Sequence, residues 1–168
     1  GKGIALEKLE NLLGGKGIRN ALVSLGGSSI LALGKPPGEY GWVIGLAASP
    51  THSRDAHIQL RDRCLTTSGT TTGISTAKNR YGHIIHPASA TPIPTGIRVS
   101  VVTRNPLLGE VIATAWPLMD DPHRSSIMQR YPGISIIEFP PGGGLAEFPG
   151  PIPGLRFKNN YGRGSLRV

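Results

Sequence analysis

Apolar positions change their period several times along this chain, and each change marks an element. Over "GKGIALEKLENLLGGKGI", Ile4, Leu9, Leu12 and Leu13 share one stripe of a 3.6-residue helix, with Glu7, Lys8, Glu10 and Asn11 opposite and Gly14-Gly15 as the stop. "NALVSLGG", "SILALG" and "YGWVIGLA" then read as three short strands in a meander turning at Gly26-Gly27. Between Ala47 and Arg63 lies a polar loop with solvent-facing His52 and His57 and a short strand at Ile58 to Leu60. "RCLTTSGTTTGIS" reads as a strand entering a hydroxyl-rich turn at Thr67-Ser68-Gly69.

"NRYGHIIHPASATPIP" reads as extended. Ile84 and Ile85 are β-branched, and Pro87 pushes His86 out of the helical region, so His83 and His86 face opposite ways and do not share a metal. "IRVSVVT" alternates as a strand. Asn105-Pro106 opens a helix, "PLLGEVIATAW", since asparagine caps free amides and proline at the first helical position has no bond to lose. That helix should stop or kink at Pro117. A second Asp-Pro opening at Asp121 starts "DPHRSSIMQRY", and "ISIIEF" is a last strand. The order predicts an α+β fold, an antiparallel sheet with packed helices over residues 1–140, followed by a largely irregular basic tail over 141–168.

Composition sharpens this picture in a few places. The 168 residues suit one domain with a real core, and the 24 glycines and 15 prolines stay below the level at which disorder becomes the default. A net charge of +8 permits attraction to phosphates, nucleic acid or acidic membranes. Arg156, Lys158, Arg163 and Arg167 fall in an acid-free end segment that offers only Phe157 and Tyr161 for stacking. It reads as a mobile tail, and nucleic acid is not an expected partner. One cysteine, Cys64, excludes an intramolecular disulfide and a cysteine-based zinc site and is expected to be an inert buried thiol. No apolar run approaches the roughly 20 residues that span a bilayer.

Four features could carry chemistry: Lys2 in Gly1-Lys2-Gly3, the Gly26-Gly27 connection, the Thr67-Ser68-Gly69 turn, and the pair Glu110/Thr114. Gly1-Lys2-Gly3 lacks the remainder of a Walker loop, which excludes a P-loop. Glu110 and Thr114 are four apart on one helical face, two hard oxygens suited to magnesium; the alternative is a solvated glutamate and a threonine bonding back to its own helix.

The order of these pieces resembles the carboxy-terminal half of the ApbE family, the FAD:protein FMN transferases. "GKGIALE" is similar to the family's Gly-Lys-Gly-Tyr-Ala-Val-Asp, and "NALVSLGGS" to its strand ending in Gly-Gly-Asp. "GWVIGLAASP" resembles its Trp-x-Ile-x-Ile-x-x-Pro strand and "LTTSGTTTG" its Thr-Ser-Gly segment. "YGHIIHPASATPIP" is similar to Tyr-x-His-Ile-Ile-Asp-Pro-x-Thr-Gly-x-Pro, and "VSVVTRNPLLGEVIATAWPLM" to a valine-rich strand followed by Ala-Asp-Ala-Leu-Ala-Thr-Ala. The likeness covers roughly Gly1 to Met119.

The resemblance implies an enzyme that binds FAD and Mg2+, attacks the pyrophosphate with a Ser or Thr hydroxyl of a target protein, leaves FMN in phosphodiester linkage and releases AMP. By position, Glu110 and Thr114 would hold the metal, and His83 would be the base or a catalytic residue on the phosphate side. Lys2, Gly3, Gly27, Ser68 and Gly69 would line the FAD site. The pattern also departs from the family: Glu110 stands for Asp, Ser28 for the Asp of Gly-Gly-Asp, His86 for the Asp before proline, and Ser89-Ala90 for Thr-Gly. The match begins halfway along the family, which implies a fragment, one subunit of a split protein whose second chain supplies the amino-terminal half, or a divergent relative; the family's usual place outside the bacterial cytoplasm, periplasmic or membrane-associated, is the implied location. The alternatives are a non-catalytic flavin-nucleotide-binding module and a structural or interaction subunit.

Overall fold

The computed structural model describes residues 1–46, 56–70, 81–139, 146–148 and 156–158. It is an α+β structure in layers. Five strands of the central sheet carry its core: β1 (Ala21–Leu25), β2 (Ser29–Leu33), β5 (Arg63–Gly69), β8 (Arg98–Thr103) and β9 (Ser135–Phe139). With β10 (Ala146–Phe148) at one edge they run β1-β2-β5-β8-β9-β10, every neighbour antiparallel. A second sheet is ordered β11-β4-β3, from β3 (Trp42–Leu46), β4 (Ala56–Leu60) and β11 (Arg156–Lys158). β6 (Tyr81–Ile85) and β7 (Pro92–Pro94) form a separate pair.

Apolar side chains of the central sheet alternate between two partners. Ala32, Leu65, Val102 and Ile137 meet Ile44, Leu46, Ile58 and Leu60 of the second sheet. On the opposite face, Leu31 and Cys64 pack on Leu6 of α1 (Lys2–Gly15), while Val99, Val101 and Ile136 pack on Ile112, Ala113 and Trp116. The last three belong to α2 (Pro106–Ala115) and the 3-10 turn Trp116–Leu118 that follows it. Covering both faces explains why β8, although its residue types alternate, is buried continuously from Val99 to Thr103. It also explains why the meander breaks after β2: Ile44 and Leu46 find their apolar partner across the sheet, so β3 starts a second layer, tied to the end of β2 by Trp42 Nε1 donating to the Leu33 carbonyl at 2.8 Å.

Helix ends follow local chemistry closely. Asn105 caps α2, accepting from Leu108 N at 2.9 Å, and the helix gives way to the 3-10 turn at Pro117. Asp120 rather than Asp121 caps α3 (Asp121–Arg130), accepting from His123 N at 3.0 Å. α1 runs through Gly14-Gly15 and is closed by Gly17 at φ +75°, with Ile18 N donating to Leu13 O (2.9 Å) and Gly17 N to Gly14 O (3.0 Å), the two bonds of a Schellman motif. Its buried face is also rotated from the expected stripe. Gly3 and Leu6 are buried and Leu9 and Leu13 half-buried, while Ile4 and Leu12 are exposed, because α1 is set by its contact with α2 as well as with the sheet.

Thr67-Ser68-Gly69 is not a turn. All three residues lie in β5, in register with Ser100, Val99 and Arg98 of β8. Gly69 permits this because a Cβ there would lie 3.3 Å from both Arg98 Cγ and the Ile97 carbonyl. His57 is half-buried rather than solvent-facing, and His52, Tyr161, Arg163 and Arg167 lie outside the described residues.

Candidate functional site

The first turn of α1 and the middle of α2 meet at one carboxylate. Glu110 Oε1 accepts from Lys2 N at 3.1 Å and Glu110 Oε2 from Gly3 N at 2.8 Å. Free amides and the positive end of the helix dipole both favour an anion at this place, and Glu110 supplies it from a neighbouring helix. The contact requires a glycine. A Cβ on residue 3 would sit 2.8 Å from the Pro106 carbonyl and 2.9 Å from Glu110 Oε2, so the Gly-Lys-Gly motif lets α1 approach α2.

Lys2 extends this contact toward the central sheet. Its Nζ donates to Ser28 Oγ in the β1–β2 turn, and the Ser28 carbonyl accepts from Thr67 N at 2.7 Å, which joins the turn to β5. Ser28 also stands on the wall of a cleft of about 350 Å³ between the two larger sheets, lined by Gly26, Gly27, Thr67, Arg98, Ser100 and Phe139 among others. Gly26 and Gly27 have φ of +63° and +70°, a turn that L side chains rarely enter, and no described atom would crowd a Cβ at either. The result is bare backbone at the cleft wall. Inside, Thr67 Oγ1 and Ser100 Oγ share a hydrogen bond at 2.8 Å. Arg98 lays its guanidinium 4.0 Å from the centroid of the Phe139 ring, and burial lowers its pKa from the ordinary arginine value.

Of the residues selected from sequence, Lys2, Gly3 and Glu110 are therefore joined directly, and Gly27 stands beside them at the cleft. Ser68 is half-buried and in register with Val99, whose side chain packs on the helices, so alternation turns Ser68 away from the cleft that Thr67 lines. Gly69 touches the cleft through Arg98. His83 lies on the exposed side of β6, with Ile84 buried beside it, and the His86 Nδ1 is buried with no hydrogen-bond partner among the described residues, which fits extended chain with the two rings opposed. Neither histidine lines the cleft. Arg98, Ser100 and Phe139 carried no local signal, since what makes them wall residues is the packing of two sheets.

The metal implied for Glu110 and Thr114 finds a poor donor set. Both Glu110 oxygens are engaged by α1 amides, and Thr114 Oγ1 donates back to the Glu110 carbonyl at 3.1 Å, the bonding expected of a threonine within a helix. No group of three or more His, Cys, Asp or Glu side chains that could hold a metal occurs among the described residues. A resident magnesium does not fit this arrangement as it stands.

Comparison with known proteins agrees with this architecture. A family model, described as the ApbE family, matches residues 1–137. A curated relative, the FAD:protein FMN transferase of Buchnera aphidicola subsp. Baizongia pistaciae, is 25% identical over 122 residues, 71% of this chain and 36% of its own length. The solved flavin transferase ApbE from Vibrio cholerae superposes with a TM-score of 0.69 at 24% identity, over 88% of this chain and 47% of that one. The ApbE protein from Thermotoga maritima gives 0.71 at 22% identity, over 87% and 48%. The chain thus spans about a third of the curated relative and about half of each solved structure, and the structural likeness speaks for the fold.

Proposed function

The chain belongs to the ApbE family, and from that premise we propose that it works in protein flavinylation, as the carboxy-terminal part of an FAD:protein FMN transferase. In this reading a Ser or Thr hydroxyl of the target protein attacks the FMN-side phosphorus of FAD. A new P–O bond forms, the bond to the AMP phosphate breaks, the hydroxyl proton passes to a base, and AMP departs with the electron pair of the broken bond. The observation that carries the reading is the link from Lys2, whose backbone Glu110 holds beside Gly3, through its Nζ to Ser28 next to the Gly26-Gly27 turn on the wall of one cleft. Motifs far apart in sequence converge there on groups suited to a dinucleotide: a cation, bare backbone and hydroxyls.

His83 is the base in this proposal. Its exposure supports that role, because the acceptor is a protein that must reach it from outside. Magnesium carries no step here; its contribution is tested by adding or withholding it. The amino-terminal half that the longer relatives carry comes from a second chain or from further sequence, and exposed Ile4, Leu107 and Val111 on α1 and α2 are apolar surface it would cover.

A non-catalytic flavin-nucleotide-binding module is the second reading. It is favoured by Ser28, which stands where the family has an acid and binds Lys2 Nζ through a hydroxyl instead. The test incubates the chain, together with an amino-terminal half taken from a relative, with FAD, magnesium and a protein acceptor containing a target Thr. Flavin transfer gives covalent in-gel fluorescence on the acceptor and free AMP, both reduced in Lys2→Ala and His83→Ala. FAD binding without AMP supports the module instead. An acceptor that stays dark here, while a complete transferase labels it, overturns the enzyme reading.

A further inference from the structure

Arg98 is the only charged residue among the described residues on the cleft wall. It lies at the start of β8, half-buried, opposite Gly69 of β5 and Phe139 of β9. Phe139 supports the guanidinium from one side at 4.0 Å, and the missing side chain of residue 69 leaves room for the arginine stem, whose Cγ would lie 3.3 Å from a Cβ there. A planar cation held against a ring is pre-organised, and its forked N–H donors suit phosphate oxygens. Burial lowers its pKa, and among the described residues it forms no ion pair with a carboxylate. Hydroxyls of Ser28, Thr67 and Ser100 share the same wall, and Lys2 reaches it through Ser28. By contrast, the helix N-terminus of α1 is closed to a phosphate by Glu110.

We propose that Arg98 is the anion-recognising residue of the cleft, binding a phosphate of the nucleotide and making the site discriminate phosphorylated flavins from riboflavin. This rests on the flavin-transfer reading for the identity of the nucleotide, but the anion site stands on the cleft alone. Gly69 then acts through Arg98, as the space that lets the guanidinium lie where it does.

The test is titration of the full chain with FAD, FMN, riboflavin and ADP, followed by flavin fluorescence or, for ADP, calorimetry, in the wild type, Arg98→Gln and Arg98→Lys. Arg98→Gln keeps the stem and a planar end, and an unchanged melting temperature checks that it folds. Loss of a charge-assisted, bidentate contact should weaken FAD, FMN and ADP by about tenfold or more and leave riboflavin within about twofold, with Arg98→Lys recovering part of the loss. FAD binding unaffected by Arg98→Gln overturns the Arg98 proposal and leaves the flavin reading intact. Equal weakening of riboflavin and FAD overturns it in favour of a packing role. Arg98-dependent ADP binding with no flavin affinity upholds the anion site and defeats the flavin reading, while no binding of FAD or ADP by the wild type defeats the Arg98 proposal.

Discussion

The two faces of the central sheet use polar groups in opposite ways. On the helix face two carboxylates are spent on holding elements together: Glu110 binds the first turn of α1, and Glu138 accepts from Trp116 Nε1 and pairs with Arg124 at 3.5 Å, fastening the 3-10 turn and α3 to β9. On the face toward the second sheet, Arg98, Thr67, Ser100 and Ser28 border an open cleft. One face should answer mutation in stability and the other in binding. The difference teaches that Glu110, the residue most suggestive of chemistry in the sequence, sits in a structural joint, whereas the groups best placed to meet a ligand are ones with no motif of their own.

The largest effect tests the helix face. Trp116 is fully buried and also orders Glu138 and Arg124, whose guanidinium stacks 5.2 Å from its ring. Trp116→Ala should cost about 3–5 kcal/mol in urea denaturation, the range for emptying a large aromatic from a core. A loss below about 1 kcal/mol would show that this face tolerates a cavity and dissolve the contrast. Glu110→Ala comes next. It orphans two amides and removes charge-assisted bonds across α1 and α2, a loss of about 2–3 kcal/mol, and Glu110→Gln should recover part of it through its remaining acceptor. If Glu110→Ala instead leaves the melting temperature unchanged while abolishing magnesium-dependent activity, the carboxylate belongs to chemistry after all.

A pH prediction probes the same face. Cys64 is fully buried against Leu6 and Leu31, and burial, helped by Glu10, pushes its thiol up to about 12. A raised pKa means that the unfolded chain gives up this proton first. The stabilisation is therefore complete below the ordinary thiol value of 9.0 and is lost as pH rises from there through about 12. Within that window the slope from this group is roughly 1.4 kcal/mol per pH unit. Cys64→Ala should lack it, so the stability difference between wild type and variant should shrink or reverse as the solution becomes alkaline; parallel pH profiles would contradict a buried neutral thiol.

What could be read before the structure was local. The Asn105-Pro106 helix start depends only on a side-chain oxygen reaching the Leu108 amide, and the extended course of "YGHIIHP" only on β-branching and the proline that follows. The element order was enough for an antiparallel α+β fold. The rest depended on which surfaces meet. The Thr-Ser-Gly segment has turn chemistry, yet pairing with β8 holds all three residues as strand, with Thr67 N donating to the Ser28 carbonyl on the other side. The stripe of α1 could not be placed without knowing that Gly3 lies against Pro106 and Glu110. Lys2, Gly3, Gly27 and Glu110 stood out in the sequence because each belongs to a compact motif; Arg98 and Phe139 are 41 positions apart in sequence and become neighbours only through β8–β9 register.

The smallest effect tests the cleft face by its hydroxyl pair. Thr67 Oγ1 and Ser100 Oγ bond each other at 2.8 Å, with Ser100 almost completely buried. Thr67→Val preserves shape but leaves the serine hydroxyl without this partner, which should cost about 1 kcal/mol. Removing both groups in Thr67→Val/Ser100→Ala takes away the unmet partner too, so the double variant should be as stable as the single one or slightly more. Denaturation of the four proteins in a mutant cycle then gives a coupling of about 0.5–1.5 kcal/mol, well below the cost of Trp116→Ala. If the cleft face serves ligand binding, the double variant should lose affinity for FAD by more than its small change in stability accounts for. A double variant that binds normally but unfolds easily would place Thr67 and Ser100 with the structural joints, and leave Arg98 as the cleft's remaining claim to a different role.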